Sequence, residues 1–339
     1  NAGTTPAVAT ITVTPEANGC TGASQTFTIT VNPTPTVASL ADQNVCHNAM
    51  TTAVNFSGAV PGTDYNWTNS NPGIGLGASG TGNIPAFLAN NPSNVEVTAL
   101  ITVTPSYTNA GETCYGDPQT FTYFVNPIPD ALATPSSQSS CSGASINTII
   151  LTSNVSGANF EWTRDNTGTV TGIPASGAGI NIAGNLFNTT NAPVTVTFTI
   201  TPVYNGCYGT PITATVTVNP LPDALPTPAA QTICSGDAIT TITSSSNVAG
   251  ATFDWTRDNL AEVTGIASAG MGNTIDGTLT NTTNAPVTVT FSITATANGC
   301  LGTPATATVL VNPIPTGAIA VTETSGTTND DGTICAGAS

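Results

Sequence analysis

Lysine is absent from this chain, and only Arg164 and Arg257 carry a permanent positive charge. Charged residues of either sign make up 6% of the 339 positions, and the formal charge of −16 comes from scattered carboxylates. Such a surface repels phosphate backbones and anionic headgroups, which sets nucleic acid aside as a partner. No apolar run approaches the length of a membrane span, so no helix of this segment inserts into a membrane. With one histidine and no lysine, general bases at neutral pH are scarce. His47 has no fixed Ser or Asp partner, which argues against catalysis. There is no C-x-x-C and no close His pair, so a zinc–thiolate site is not expected. The glycine-rich stretch 75–82 lacks G-K-[ST] and a following helix, which excludes a phosphate loop. No signal peptide is visible.

What is present is ordered. Apolar residues reach 39%, and valine, isoleucine and threonine alternate along several stretches. Threonine, serine and asparagine supply the polar surface that charge does not. One passage recurs: NGCTGASQTFTITVNPTP from Asn18, GETCYGDPQTFTYFVNPIP from Gly111, NGCYGTPITATVTVNPLP from Asn205 and NGCLGTPATATVLVNPIP from Asn298. The offset from the cysteine to the first proline of P-x-P is the same in every copy: 20 to 33, 114 to 127, 207 to 220 and 300 to 313. These cysteines, 20, 114, 207 and 300, are spaced by 94, 93 and 93. A second set, 46, 141, 234 and 335, is spaced by 95, 93 and 101. Trp67, Trp162 and Trp255 follow Cys46, Cys141 and Cys234 at one constant offset. A period near 93 with one tryptophan and two cysteines is the length of an immunoglobulin-like sandwich.

The unit near the middle of the chain reads most clearly. From Val194 to Thr201, Val194, Val196, Phe198 and Ile200 face a core and the threonines face water. Ala214, Val216 and Val218 repeat the pattern after a glycine-rich hairpin tip at 204–209. Strands are expected at 146–153, at 159–164 around Trp162, and near 185–188, with an Asn-Thr-Thr-Asn-Ala-Pro turn at 188–193. The fold class is therefore all-β: a tandem array of seven-stranded immunoglobulin-like sandwiches. Whole domains fall at 33–126, 127–219 and 220–312. Residues 1–32 read as the last two strands of an earlier domain and 313–339 as the first strand of a later one, as expected of a window on a longer array. The P-x-P runs mark short, stiff junctions, and the residue between the prolines is placed to wedge into them.

Three features stand together: C-x-G near each domain start (Cys141-Ser142-Gly143, Cys234-Ser235-Gly236, Cys335-Ala336-Gly337), a single Trp in Y/F-x-W-T, and N-G-C-x-G…V-N-P-x-P at the end. This combination resembles the PKD-like and immunoglobulin-like tandem repeats of giant surface proteins in Bacteroidota, of which the gliding-motility adhesins of Flavobacterium are examples. The resemblance covers the whole chain. It implies a secreted filament or stalk attached at the outer membrane, exported by the type IX pathway. Two departures are His47, where other copies have Ser or Ala, and the longer interval before Cys335.

Eight cysteines in a chain of this composition argue for disulfides in an oxidising compartment. Pairing within domains would join Cys46–Cys114, Cys141–Cys207 and Cys234–Cys300, closing loops of about 68 residues for roughly 4 kcal/mol in the chain-entropy model. Yet the first-strand cysteine and the last hairpin tip lie at opposite ends of a sandwich, about 30 Å apart. A disulfide needs Cα atoms within about 7 Å. Opposite ends of successive domains do meet, which allows Cys46–Cys207 and Cys141–Cys300. Pairing of sequence neighbours (20–46, 114–141, 207–234, 300–335) uses all eight. The sequence leaves these three schemes open.

Trp67, Trp162 and Trp255 are expected in the core between sheets rather than as sugar-stacking platforms. Glu161 with Arg164, Asp165 and Asn166, and Asp254 with Arg257, Asp258 and Asn259, read as solvated strand ends ahead of a ligand patch. Asp330 and Asp331 are weak calcium candidates that lack the spaced D-x-D-x-D-G pattern; no cofactor is otherwise expected. The expected function is structural: a disulfide-stabilised surface filament or adhesin for attachment or gliding. Its partners are its own repeats, like chains laterally, and a surface polysaccharide. The alternatives are carbohydrate-binding modules, whose variable glycine-rich middle loops would hold the ligand, and a surface-layer component.

Overall fold

A computed structural model describes residues 1–317. The second repeat sets the pattern. Its long strand, Val194–Tyr204, buries Val196, Phe198 and Ile200 completely on one face. It pairs antiparallel with Ile212–Asn219 on one side and Asn159–Arg164 on the other. Ser176–Ala178 extends the sheet beyond Asn159–Arg164, and Ser137–Cys141 joins the opposite edge, running parallel to Ile212–Asn219. Facing this sheet is a smaller layer of Leu132–Thr134, Ile149–Thr152 and Asn181–Ile182, with a two-stranded ribbon of Val170–Gly172 and Leu186–Asn188. The core between the layers holds Ile149, Leu151, Phe160, Trp162, Val170, Ile182 and Leu186, with the inward residues of the large sheet. Each such side chain contributes roughly 1.5–3 kcal/mol on burial.

The third repeat has the same order, with Ala230–Cys234 parallel to Ala305–Asn312 and Val287–Ala297 at the centre. The first has the same large sheet, Gln43–Cys46, Gln119–Asn126, Val97–Asn109, Asp64–Asn69 and Ser79–Thr81. Its facing layer is held by isolated bridges, Met50–Leu88 and Val54–Ile84, and one 3-10 turn, Pro72–Ile74. Residues 1–32 contain a hairpin of Ala7–Val13 and Gln25–Val31, the counterpart of the last two long strands of a repeat.

The glycine-rich middle departs from the seven-strand expectation. It folds as short strands of two or three residues, and the second and third repeats each hold eleven strand segments. Gly172, Gly179 and Gly184, at φ 108, 123 and 135, break the chain between them, a backbone region side-chain-bearing residues avoid.

The tryptophans lie in the cores, 7–9% exposed. Trp162 meets Phe198 edge-on at 5.7 Å and Trp255 meets Phe291 at 5.8 Å. The short edge strand crosses each indole at Gly80, Gly177 or Gly270, where a Cβ would overlap the ring. That contact is why this strand carries glycine in all three copies.

Arg164 and Arg257 are structural. Arg164 donates from Nε to the Ile173 carbonyl at 2.7 Å and from Nη2 to that of Val170 at 3.0 Å. Arg257 does the same to Ile266 and, from Nη1, to Val263, at 2.8 and 3.1 Å. Burial lowers both guanidinium pKa values, and the neighbouring Asp165 or Asp258 opposes the shift. The next two residues complete the stitch: the Asp165 carboxylate accepts from the Thr197 amide, and Asn166 donates to the Thr195 carbonyl, both at 2.7 Å. In the first repeat Asn69, Ser70 and Asn71 make the same three kinds of contact with Leu76, Leu100 and Thr98. R-D-N and N-S-N are thus two solutions to one turn.

The linkers correct one expectation. The prolines are buried at 33, 35, 127, 129, 220 and 222, while the residue between them points outward, Ile128 at 37% and Leu221 at 44% exposure. The proline rings fill the junction because a fixed φ holds them there without a donor to satisfy.

Candidate functional site at the repeat junctions

The recurring N-G-C-x-G…V-N-P-x-P residues converge on the junctions between repeats. Asn205 and Gly206 form a two-residue turn with φ 46 and 80, the left-handed pair that Asn-Gly adopts most readily. Asn18-Gly19 and Asn298-Gly299 repeat it, and Ala110-Gly111 takes the same shape on a longer hairpin. The turn sets Cys207 opposite Tyr204 at the upper end of the second repeat.

The lower end of the preceding repeat is made ready by strand register. Cys46 lies beside Asn126, Cys141 beside Asn219 and Cys234 beside Asn312, because the first strand runs parallel to the last. A cysteine and an asparagine from adjacent strands thus face the next hairpin tip together. Asn205 Nδ2 donates to Asn126 Oδ1 at 3.0 Å, and Asn109 Nδ2 to Asn32 Oδ1 at 2.8 Å. Asn219 Nδ2 donates to the Asn298 carbonyl at 3.4 Å. The second glycine of each hairpin backs onto the second linker proline: a Cβ at Gly116, Gly209 or Gly302 would overlap the carbonyl of Pro35, Pro129 or Pro222.

The cysteines close the clamp. Cys46 is bonded to Cys207 and Cys141 to Cys300, each with Cα atoms 5.6 Å apart. The within-repeat pair Cys141–Cys207 is not formed, since both residues are bonded across junctions. Cys46–Cys114 and Cys234–Cys300 are likewise not formed: Cys46 and Cys300 are bonded across junctions, and the members of each pair sit at opposite ends of the longest strand of their repeat, Val97–Asn109 or Val287–Ala297. The neighbour pairs 20–46, 114–141 and 207–234 are not formed either, and among the described residues Cys20, Cys114 and Cys234 are free thiols. Cys335, Asp330 and Asp331 lie outside the described residues.

The far side of the two stapled junctions has a second tie. Asn154 Nδ2 donates to Asn94 Oδ1 at 3.2 Å, and Asn247 Nδ2 to Asn191 Oδ1 at 3.4 Å. The linker aspartates Asp130 and Asp223 hold those asparagines by accepting their amide N–H groups. Nothing in the sequence pairs these distant asparagines. The Asn126–Asn205 contact left a signal, since both asparagines recur in the repeated motif.

His47 fills a serine's place. Ser142 and Ser235 accept through Oγ from the Asn188 and Asn281 amides at 3.0 Å. His47 accepts through Nδ1 from the equivalent Asn91 amide at 2.9 Å. Asn91, Asn188 and Asn281 in turn bind the last strand, donating to the Val125, Val218 and Val311 carbonyls. The lone histidine thereby holds a loop of the first repeat.

Outside the junctions, a shallow groove of about 520 Å³ lies on the outer face of the large sheet of the second repeat, lined by Glu161, Thr163, Ser176, Thr199 and Thr201. Trp162, 8% exposed, also borders it.

The PKD-like domain family matches residues 134–222 and 231–315. No curated protein matches the chain. Among solved structures, an I-band fragment of titin, I67–I69, is similar at 8% identity and TM-score 0.44, over 84% of this chain and 100% of that one. Mouse cadherin-23 EC22–24 is similar at 14% identity and TM-score 0.36, over 83% and 99%. The human desmocollin-1 ectodomain gives 12% and 0.36, over 90% and 67%.

Proposed function

We propose, from the premise that this chain belongs to the PKD-like domain family, that it is a structural segment of an extended filament or adhesin on a bacterial surface, serving attachment or gliding. The observation that carries the reading is the repeated junction. Proline linker, asparagine pair, close-packed glycine and interrepeat disulfide recur in register, so the motif multiplies length at fixed geometry. Disulfides favour an oxidising, extracellular setting. Both arginines and the histidine hold backbone turns, which supports a structural role for them.

Electron microscopy of the source cells with gold-labelled antibody to residues 127–219 tests this. Gold strung along thin filaments projecting from the outer membrane is the expected result. Gold spread evenly over a lattice would replace it with a surface layer. Gold only in the medium would replace it with a secreted, polysaccharide-binding protein.

A further inference from the structure

Each disulfide skips a great length of chain. Cys46–Cys207 spans 161 residues and Cys141–Cys300 spans 159. The two spans overlap within the second repeat. From the structure we infer that the staples make the array a length-limited tether, which under tension draws taut on the short covalent route between its ends and cannot release most of the chain stored in its repeats. This rests on the structural reading above.

Tension enters along 1–46, divides at the Cys46–Cys207 bond, rejoins at the Cys141–Cys300 bond and leaves along 300–339. Between the two bonds the chain runs as three segments in parallel, 46–141, 141–207 and 207–300. In the folded second repeat Ser137–Cys141 and Ile212–Asn219 lie side by side in parallel register, one leading to each bonded cysteine.

The segment from 141 to 207 is about 66 residues and reaches about 230 Å when drawn out. The segments 46–141 and 207–300 are longer, so they stay slack once 141–207 is taut. An unstapled repeat of about 93 residues would instead release about 320 Å when unfolded.

The test is single-molecule stretching of the full 339-residue chain through thiol-free covalent anchors at its two ends. The free thiols are alkylated first under native conditions. With both staples, the shortest covalent route between the ends runs 1–46, 207 back to 141, and 300–339, about 150 residues, or about 520 Å when taut. Cys46→Ser or Cys141→Ser lengthens the route to about 180 residues and about 630 Å. Reduction before anchoring frees all 339 residues, about 1200 Å. Stopping points in that order support the tether. Oxidised wild-type chain that unravels to the length of the reduced chain overturns it, as do single variants no longer than wild type. Full unravelling would leave the filament reading standing, and gold labelling off filaments would leave the stopping lengths untouched, so the two failures are told apart.

Discussion

Removing Cys46 should weaken the second repeat far more than the repeat that carries the mutation. Cys46 is half-buried at the end of its strand, so serine there costs little locally, whereas its partner Cys207 is 1% exposed and remains in place. When the second repeat unfolds while the first stays folded, the staple closes a loop from the linker near 127 to Cys207, about 80 residues. The chain-entropy model assigns such a loop about 4.5 kcal/mol, and measured values run about 2–4 kcal/mol. For a unit of this size each kcal/mol moves the midpoint by about 4–8 °C, so Cys46→Ser should lower the second repeat's transition by roughly 10–25 °C. Calorimetry gives the shift, and hydrogen exchange resolved by peptide assigns it to residues 127–219. Cys114→Ser is the control: Cys114 is a free thiol, and its loss should move nothing by more than about 0.5 kcal/mol. A Cys46→Ser protein whose second repeat unfolds within about 2 °C of wild type would refute the reasoning.

Three further outcomes follow from named contacts. Gly209→Ala sets a methyl against the Pro129 carbonyl and should cost about 1–3 kcal/mol, with faster exchange of the amides at 128–131 rather than throughout the repeat. His47→Ser should leave stability within about 0.5 kcal/mol, because serine makes this contact in the other repeats, while His47→Ala should lose about 1 kcal/mol on denaturant titration. Tyr123 is wholly buried, its hydroxyl has no partner among the described residues, and burial pushes its pKa up to about 12. Below pH 10 both states keep the proton and there is no effect. As pH rises from 10 to 12 the unfolded phenol ionises while the folded one does not, and the first repeat should lose on the order of 2 kcal/mol. Tyr123→Phe should be near neutral at pH 7 and should lack that share of the alkaline loss.

The strands with strict alternation were legible in the sequence. Val194–Tyr204 and Ile212–Asn219 need every second residue buried, and only period two satisfies that. The glycine-rich middle was not. Its strands are two or three residues long, too short to show a period, and positive-φ glycines rather than side chains place them. Chemical type also hid equivalence: Asn69 occupies the place of Arg164 because both donate to carbonyls of the same turn, although their charges differ. The linker was misread because hydrophobicity favoured Ile128 and Leu221 as the buried residues. The chain direction imposed by two prolines turns the rings inward and those side chains outward. The cysteine spacing revealed a framework, but partners 161 and 159 residues apart are fixed by how one sandwich stands on the next.

The central claim is that the repeats are joined to each other and not closed on themselves. Peptide mapping of the unreduced protein by mass spectrometry, with free thiols blocked before digestion, tests it most directly. The account predicts the linked peptides Cys46–Cys207 and Cys141–Cys300, with label on Cys20, Cys114 and Cys234. A dominant Cys141–Cys207 peptide would contradict it.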